Sequence, residues 1–135
     1  MASIFSKIVK GEIPSYKVAE DEHFYAFLDI RPVQKGHCLV IPKTEIDYIF
    51  DLPASVAGAL FCFAQKVAKA VKMVVPCQRV GVLAIGMEVP HAHIHLIPIN
   101  QERDMDLSRP RCEMTSEAFL ALASQILHAY NTLEG

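Results

Sequence analysis

Residues 91–98 read His-Ala-His-Ile-His-Leu-Ile-Pro, so three of the chain's six histidines stand at alternate positions with apolar residues between them. In a β-strand, successive side chains point to opposite faces of the sheet. A strand over this run would place His91, His93 and His95 on one face and the intervening apolar residues on the other. We expect the apolar face to pack and the histidine face to carry chemistry.

Three explanations of the histidine run are open. Burial of three imidazoles demands hydrogen-bond partners for both nitrogens of every ring, so a purely structural strand is the least favoured explanation. Imidazole is a common ligand of zinc, copper, iron and nickel, and His-x-His on a strand can supply two ligands to a metal. Neutral imidazole is also a nucleophile near pH 7 and can donate to phosphate oxygens. Spacing alone does not separate a metal site from a nucleophilic or phosphate-binding cluster.

The length, composition and net charge limit the classes of protein to which this chain can belong. With 135 residues, 52% of them hydrophobic, the chain has material for one core, and we expect residues 1–135 to form a single domain. A net charge of −2 lacks the basic character of proteins that bind nucleic acid in bulk, although a single nucleotide fits. The N-terminus lacks the apolar run of a signal peptide, and no segment approaches the roughly 20 apolar residues of a membrane span. We therefore expect a cytoplasmic protein with no nucleic-acid and no membrane partner.

The hydrophobic pattern predicts both helices and strands. Helices are expected over residues 3–10, about 53–75, and from residue 115 or 116 onward. Strands are expected over residues 16–20, 23–29, 37–41, 79–85 and 91–98. Strands that come mostly in succession, with one long helix between the third and the fourth, favour an antiparallel sheet with helices on one side. The predicted fold class is α+β.

Four sequence blocks in this order resemble the histidine triad (HIT) superfamily, close to its nucleotide-binding and nucleotide-hydrolysing branch. The family signature His-φ-His-φ-His-φ-φ, with φ apolar, is matched without a gap from His91 to Ile97. The other blocks begin at Ile4, Ala26 and Gly36, and they read Ile-Phe-x-x-Ile-x-x-Gly-x-Ile-Pro, Ala-Phe-Leu-Asp-Ile-x-Pro and Gly-His-x-Leu-Val-Ile-Pro-Lys. The match spans nearly the full chain, and four ordered blocks are stronger evidence than one motif.

The resemblance implies a fold and an activity. It implies a five-stranded antiparallel sheet with a long central helix and a C-terminal helix, paired into a homodimer with a purine nucleotide site in each half. It also implies a hydrolase or nucleotidyl transferase acting at the α-phosphate through a covalent nucleotidyl-histidine, with phosphoramidates as favoured substrates and no cofactor. A dinucleoside polyphosphate hydrolase, a nucleotide-binding regulatory protein with weak turnover and, third, a metal-binding protein remain alternatives.

The resemblance also assigns roles by position in the motifs. His93 would be the nucleophile, His91 and His95 would flank the phosphate, and His37 would complete the histidine set. Asp29 would hold the ribose hydroxyls. The walls of the base pocket would be Ile4, Phe5, Ile8, Phe27 and Ile30. The pattern alone would place these apolar side chains in the core, so the resemblance is what assigns them to a pocket.

The chain departs from the family pattern in two places. Many relatives carry Cys-x-x-Cys near the N-terminus and a histidine soon after Ile-Pro-Lys, which supports a structural zinc ion. Here Ser3, Ser6 and Glu45 stand at these positions, so we expect no metal. Before the triad, Met87 and Glu88 replace side chains that help to hold the phosphate. A carboxylate near a phosphate is unfavourable, so we expect substrate preference and rate to differ from those of better-known members.

Overall fold

The computed structural model describes residues 2–133 as an antiparallel sheet with helices on both faces. The helices are α1 (Ile4–Val9), α2 (Ala54–Val74) and α3 (Ser116–Thr132), with short 3-10 helices at Ile49–Asp51 and Glu102–Met105. The strands are β1 (Lys17–Glu20), β2 (Phe24–Leu28), β3 (Cys38–Pro42), β4 (Arg79–Leu83) and β5 (Ile94–Ile99). Their spatial order is β1-β2-β3-β5-β4, and every neighbouring pair is antiparallel. The predicted α+β class with a five-stranded antiparallel sheet is confirmed.

Both faces of the central strands are covered, which differs from the expectation of helices on one side. Every residue of β2 and β3 is buried. Alternate residues of β2 separate cleanly: Phe24 packs in the core shared with α2 and α3, whereas Tyr25 and Phe27 pack against Phe5 of α1. A strand that is apolar on both faces needs cover on both. The short helix α1 covers the face of the sheet opposite α2 and α3, and the site described below lies on this α1 face.

Helix α2 is the longest element, and its buried residues recur at helical spacing. Leu60, Phe63, Val67 and Val71 form the core-facing stripe, and the Phe63 ring meets Tyr130 of α3 edge-on at 5.8 Å. By length and composition alone α2 is also apolar enough to cross a membrane, so the expectation that no segment reaches that composition is wrong for this helix. Core helices pass the same test, and the buried stripe of α2 faces protein.

The histidine run enters the sheet later than predicted. Strand β5 begins at Ile94, so His91 and His93 precede it. The backbone there is bonded to loops instead: the His91 N–H donates to the Val89 carbonyl at 2.8 Å, and the Ala92 N–H donates to the Ile46 carbonyl at 2.6 Å. The apolar members of the run, from Ala92 to Leu96, still pack in the core beneath α2 and α3. The predicted alternation therefore holds for the apolar residues of the run. It does not hold for His91, which lies before the strand and not on its histidine face.

Candidate active site

A cavity of about 650 Å³ lies on the α1 side of the sheet and collects most of the predicted site residues. Its apolar wall includes all five residues that were expected to surround the nucleotide base: Ile4, Phe5, Ile8, Phe27 and Ile30. Its polar lining includes Asp29, His93 and His95. Helix α1, the ends of β2 and β5, and the connection before β5 each contribute a wall. Such a mixture of apolar walls and a few convergent polar groups is typical of a small-molecule site.

The tautomer of His93 follows from a backbone contact. Its Nδ1 lies 2.7 Å from the His91 carbonyl oxygen, which can only accept, so Nδ1 carries the proton and donates. In the neutral ring this leaves a lone pair on Nε2. The Phe5 ring packs edge-on against the imidazole at 5.1 Å and holds its plane. In its neutral form, His93 therefore has its unprotonated nitrogen at Nε2, and the residue lies on the cavity wall.

The tautomers of His37 and His95 are fixed by a chain of hydrogen bonds. The Val33 N–H donates to His37 Nδ1 at 3.2 Å, so the His37 proton is on Nε2. That Nε2–H donates to His95 Nδ1 at 2.9 Å, which leaves the His95 proton on its own Nε2. His37 is fully buried behind the cavity, and His95 is on the cavity wall. The pair therefore presents a single N–H donor to a ligand.

Burial keeps these two rings neutral. It lowers the pKa of His37 to about 4, and the nearby charge of Arg111 acts in the same direction. Burial likewise lowers the pKa of His95 to about 4, with His37 adding to the effect. Both rings are therefore uncharged near pH 7, as the hydrogen-bond chain requires. What the pair can offer to a negatively charged ligand is an oriented N–H dipole and not an imidazolium ion.

Asp29 follows β2 directly and offers one unshared carboxylate oxygen. Its Oδ1 accepts from the Arg31 N–H at 2.8 Å, which anchors the side chain in a turn. Its Oδ2 lies 3.6 Å from His37 Nε2, too far for a strong hydrogen bond. Burial raises the pKa of this carboxyl group. Oδ2 is left to accept from ligand hydroxyls.

Asp29, His37 and His95 are also the one group among the described residues with the spacing of a metal site. One ligand atom from each lies within 4.8 Å of the others. A metal on His37 Nε2 would have to displace the proton that the Val33 contact places there. The ring would then be forced into the other tautomer, against a backbone donor. The arrangement therefore favours a hydrogen-bond chain over a metal site.

His91 does not line the cavity, whereas the resemblance places it beside the phosphate. It is fully buried, and both of its nitrogens have partners. Nε2 donates to the Pro42 carbonyl at 2.7 Å, and Nδ1 accepts from the Ser3 hydroxyl at 2.8 Å. Its contribution to the site is its backbone carbonyl, which sets the tautomer of His93.

The residues at the family's zinc positions do lie together, but they are joined by hydrogen bonds. Glu45 Oε1 accepts from the Ser6 hydroxyl and from the Ser3 N–H, both at 2.6 Å. These bonds, the Ser6 bond above all, lower the pKa of Glu45 to about 2. Serine hydroxyls are poor ligands for zinc, and these are occupied by Glu45 and His91. The cluster does not fit a zinc ion, and it ties α1 to the sheet without one.

Several cavity residues were not assigned from the sequence. Leu107, Ser108 and Arg111 reach the cavity from the segment after β5, and Glu88 lines it from the connection before β5. The sequence carries no periodic or motif signal for the first three. Glu88 is the residue whose carboxylate was predicted to be unfavourable near a bound phosphate, and it does line the cavity.

Known proteins resemble this chain in sequence and in fold. The HIT domain family model matches residues 10–102. The adenosine 5'-monophosphoramidase of Schizosaccharomyces pombe is 37% identical over 129 residues, which cover 93% of this chain and 96% of that relative. The protein of the same name from Saccharomyces cerevisiae is 42% identical over 104 residues, covering 76% of this chain and 65% of that relative.

A solved structure with the same fold comes from Sulfolobus tokodaii, where it is described as a hypothetical histidine triad nucleotide-binding protein. It superposes with a TM-score of 0.83 at 29% identity, over 94% of this chain and 91% of that one. A family model over most of the chain and a relative matched over nearly its whole length agree with the motif and the fold. This chain is a member of the HIT family.

Proposed function

We propose that this protein is a nucleotide hydrolase or nucleotidyl transferase that acts at the α-phosphate of purine nucleotide conjugates, with phosphoramidates as its substrates and His93 as nucleophile. The observation that carries the proposal is the His93 Nδ1–H bond to the His91 carbonyl at 2.7 Å, which leaves the Nε2 lone pair on the cavity wall. The names of the two yeast relatives point to the same reaction class.

The cavity suggests how such a substrate is oriented. The base lies among the apolar residues of α1 and β2, where Phe5 and Phe27 meet edge-on at 5.5 Å. The ribose hydroxyls donate to Oδ2 of Asp29. The α-phosphate then lies between His93 and the N–H of His95, since both line the same cavity. Holding the phosphate next to the nucleophile supplies the proximity that a displacement needs.

The reaction proceeds in two displacements. In the first, Nε2 of His93 forms a bond to phosphorus as the bond from phosphorus to the leaving nitrogen breaks, and the amine takes a proton from water. In the second, the resulting hydroxide bonds to phosphorus, the bond to His93 breaks, and its lone pair returns to Nε2. The Nδ1–H bond to the His91 carbonyl disperses positive charge on the intermediate, and the His95 N–H bonds to a phosphoryl oxygen.

We also infer that residues 1–135 act as one domain within a homodimer. Strand β4 lies at the edge of the sheet next to β5 alone, and its Val82 is 50% exposed. An unpaired edge with exposed apolar side chains is a template for pairing with another chain. A second copy of this chain meets that requirement through a symmetric β4–β4 contact.

The test is release of AMP from adenosine 5'-phosphoramidate in the presence of a chelator. Wild-type protein is compared with His93→Ala and with His23→Ala, a matched control at an exposed histidine. We expect His93→Ala to lose at least about a thousandfold in kcat, because removal of a nucleophile abolishes the covalent route, while AMP binding is retained. His23→Ala should behave as wild type. Intact-mass measurement of quenched wild-type reactions should reveal an added nucleotidyl group.

Full turnover by His93→Ala would contradict the nucleophile assignment. Loss of wild-type activity with chelator alone would revive the metal site. Cleavage of a diadenosine polyphosphate with no cleavage of the phosphoramidate would favour the dinucleoside polyphosphate hydrolase, and nucleotide binding without cleavage or adduct would favour the regulatory protein.

A further inference from the structure

The segment Leu107–Cys112 is bound to the turn between β2 and β3 by backbone-directed hydrogen bonds. The Arg111 guanidinium donates through one terminal nitrogen to the Arg31 carbonyl at 2.7 Å. The Cys112 N–H donates to the next carbonyl, that of Pro32, at 2.7 Å. Two successive carbonyls of one turn therefore accept hydrogen bonds from two successive residues of the segment.

The turn that is held in this way carries two groups on which the site depends. At its start, the Arg31 N–H fixes the Asp29 carboxylate at 2.8 Å. Two residues further on, the Val33 N–H bonds to His37 Nδ1 and sets the tautomer that passes to His95. The carbonyls of Arg31 and Pro32 lie between these two amides in the chain. A shift of the turn would therefore disturb both the carboxylate and the tautomer.

The Arg111 side chain has the geometry for holding this turn. Its second terminal nitrogen donates to the Leu107 carbonyl at 2.9 Å, so the planar fork joins its own segment to the turn. Within residues 2–133 it forms no ion pair with a carboxylate. Arg109, two residues away, differs: it pairs with Asp104 at 3.3 Å and does not line the cavity.

We propose that Arg111 is a positioning residue for the candidate active site, holding the Asp29–Val33 turn so that the ribose carboxylate and the His37–His95 tautomer are fixed together. The inference deepens the proposed function and rests on it for the roles of Asp29 and His95. Arg111 also lines the cavity, but both hydrogen bonds of its guanidinium go to backbone carbonyls, so the role proposed here is exerted through the turn.

The test compares Arg111→Met with Arg111→Lys and with Arg109→Met as a matched control in the same segment. The first readout is the ratio of kcat/KM for adenosine 5'-phosphoramidate over its 2'-deoxy analogue, which reports how well Asp29 holds the ribose. The second is the ¹⁵N spectrum of the histidine rings, which reports directly whether His37 carries its proton on Nε2. Circular dichroism establishes that each variant is folded.

We expect Arg111→Met to lower the ribose preference about tenfold, through a higher KM for the ribonucleotide, and to give a mixture of His37 tautomers. Arg111→Lys should recover part of both effects, because an ammonium group keeps the charge but cannot span two carbonyls as the fork does. Arg109→Met should match wild type in both readouts.

A folded Arg111→Met protein with wild-type ribose preference and an unchanged His37 spectrum would overturn the proposal. A change in only one readout would overturn the half that concerns the other. If wild-type protein cleaves neither substrate, the proposed function fails. Relative binding of AMP and 2'-deoxy-AMP then replaces the first readout, and the ring spectrum still decides whether Arg111 fixes the tautomer.

Discussion

At the scale of single residues, backbone groups decide which nitrogen of each histidine is available. The His91 carbonyl accepts from His93 Nδ1 and so keeps the ring proton there, and the Val33 N–H donates to His37 Nδ1 and so leaves the His37 proton on Nε2. Side chains of this type have two neutral tautomers of similar energy, so one hydrogen bond is enough to select between them. The tautomers are therefore set by backbone groups of two connections, the one before β5 and the one between β2 and β3.

Burial of neutral histidines predicts how stability depends on pH. His37 and His95 titrate near 6.5 when unfolded and at about 4 when folded. Between these values the unfolded state binds more protons, so the free energy of unfolding falls as pH is lowered, by up to about 1.4 kcal/mol per pH unit for each group. The raised pKa of Asp29 acts in the opposite direction at the acid end of this range.

The measurement is urea unfolding at a series of pH values from about 7 to about 4.5. His37→Asn should have a smaller slope of stability against pH than wild type, because asparagine offers an acceptor to the Val33 N–H but does not titrate. His23→Asn, at an exposed position, should keep the wild-type slope. Equal slopes for wild type and His37→Asn would show that the buried ring does not supply the pH dependence.

At the scale of elements, the start of β3 depends on a close approach between three parts of the chain. Gly36 has φ +92° and precedes His37. A Cβ at this position would lie 2.9 Å from a methyl group of Val75 and 3.1 Å from the Pro98 ring. Gly36 thus lets the end of α2 and β5 close over the turn that places His37 beside His95.

Substitution of Gly36 by alanine should therefore destabilise the protein through both strain and overlap. Gly11→Ala is the matched control, because Gly11 also has a positive φ, of +80°, but a Cβ there meets nothing within 4 Å. We expect Gly11→Ala to cost about 1 kcal/mol and Gly36→Ala about 1–3 kcal/mol more, measured by urea unfolding. Equal losses would indicate that the neighbours of Gly36 move aside without cost.

At the scale of the whole molecule, the sequence predicts what local pattern determines and misses what distant contacts determine. The bounds of α2 agree with the prediction because helical periodicity over many residues is a strong signal. The late start of β5 was not predictable, because the Ala92 N–H bonds to Ile46, a residue of another loop. The burial of His91 and the contacts of Arg111 likewise depend on residues far away in sequence.

The proposed homodimer makes a prediction about the assembled molecule. If the free edge of β4 pairs with the same edge of a second copy, the mass measured by light scattering during size-exclusion chromatography should be twice that of the chain. Val82→Lys should reduce the dimer, because it would add one positive charge from each copy to the same symmetric contact, and like charges across paired strands are destabilising.

Leu120→Lys is the matched control, since Leu120 is an exposed apolar residue of α3, away from the β4 edge, and should leave the dimer intact. A wild-type protein that stays monomeric at every concentration tested would contradict the dimer. A dimer that survives Val82→Lys but is lost in Leu120→Lys would move the interface from the sheet edge to α3.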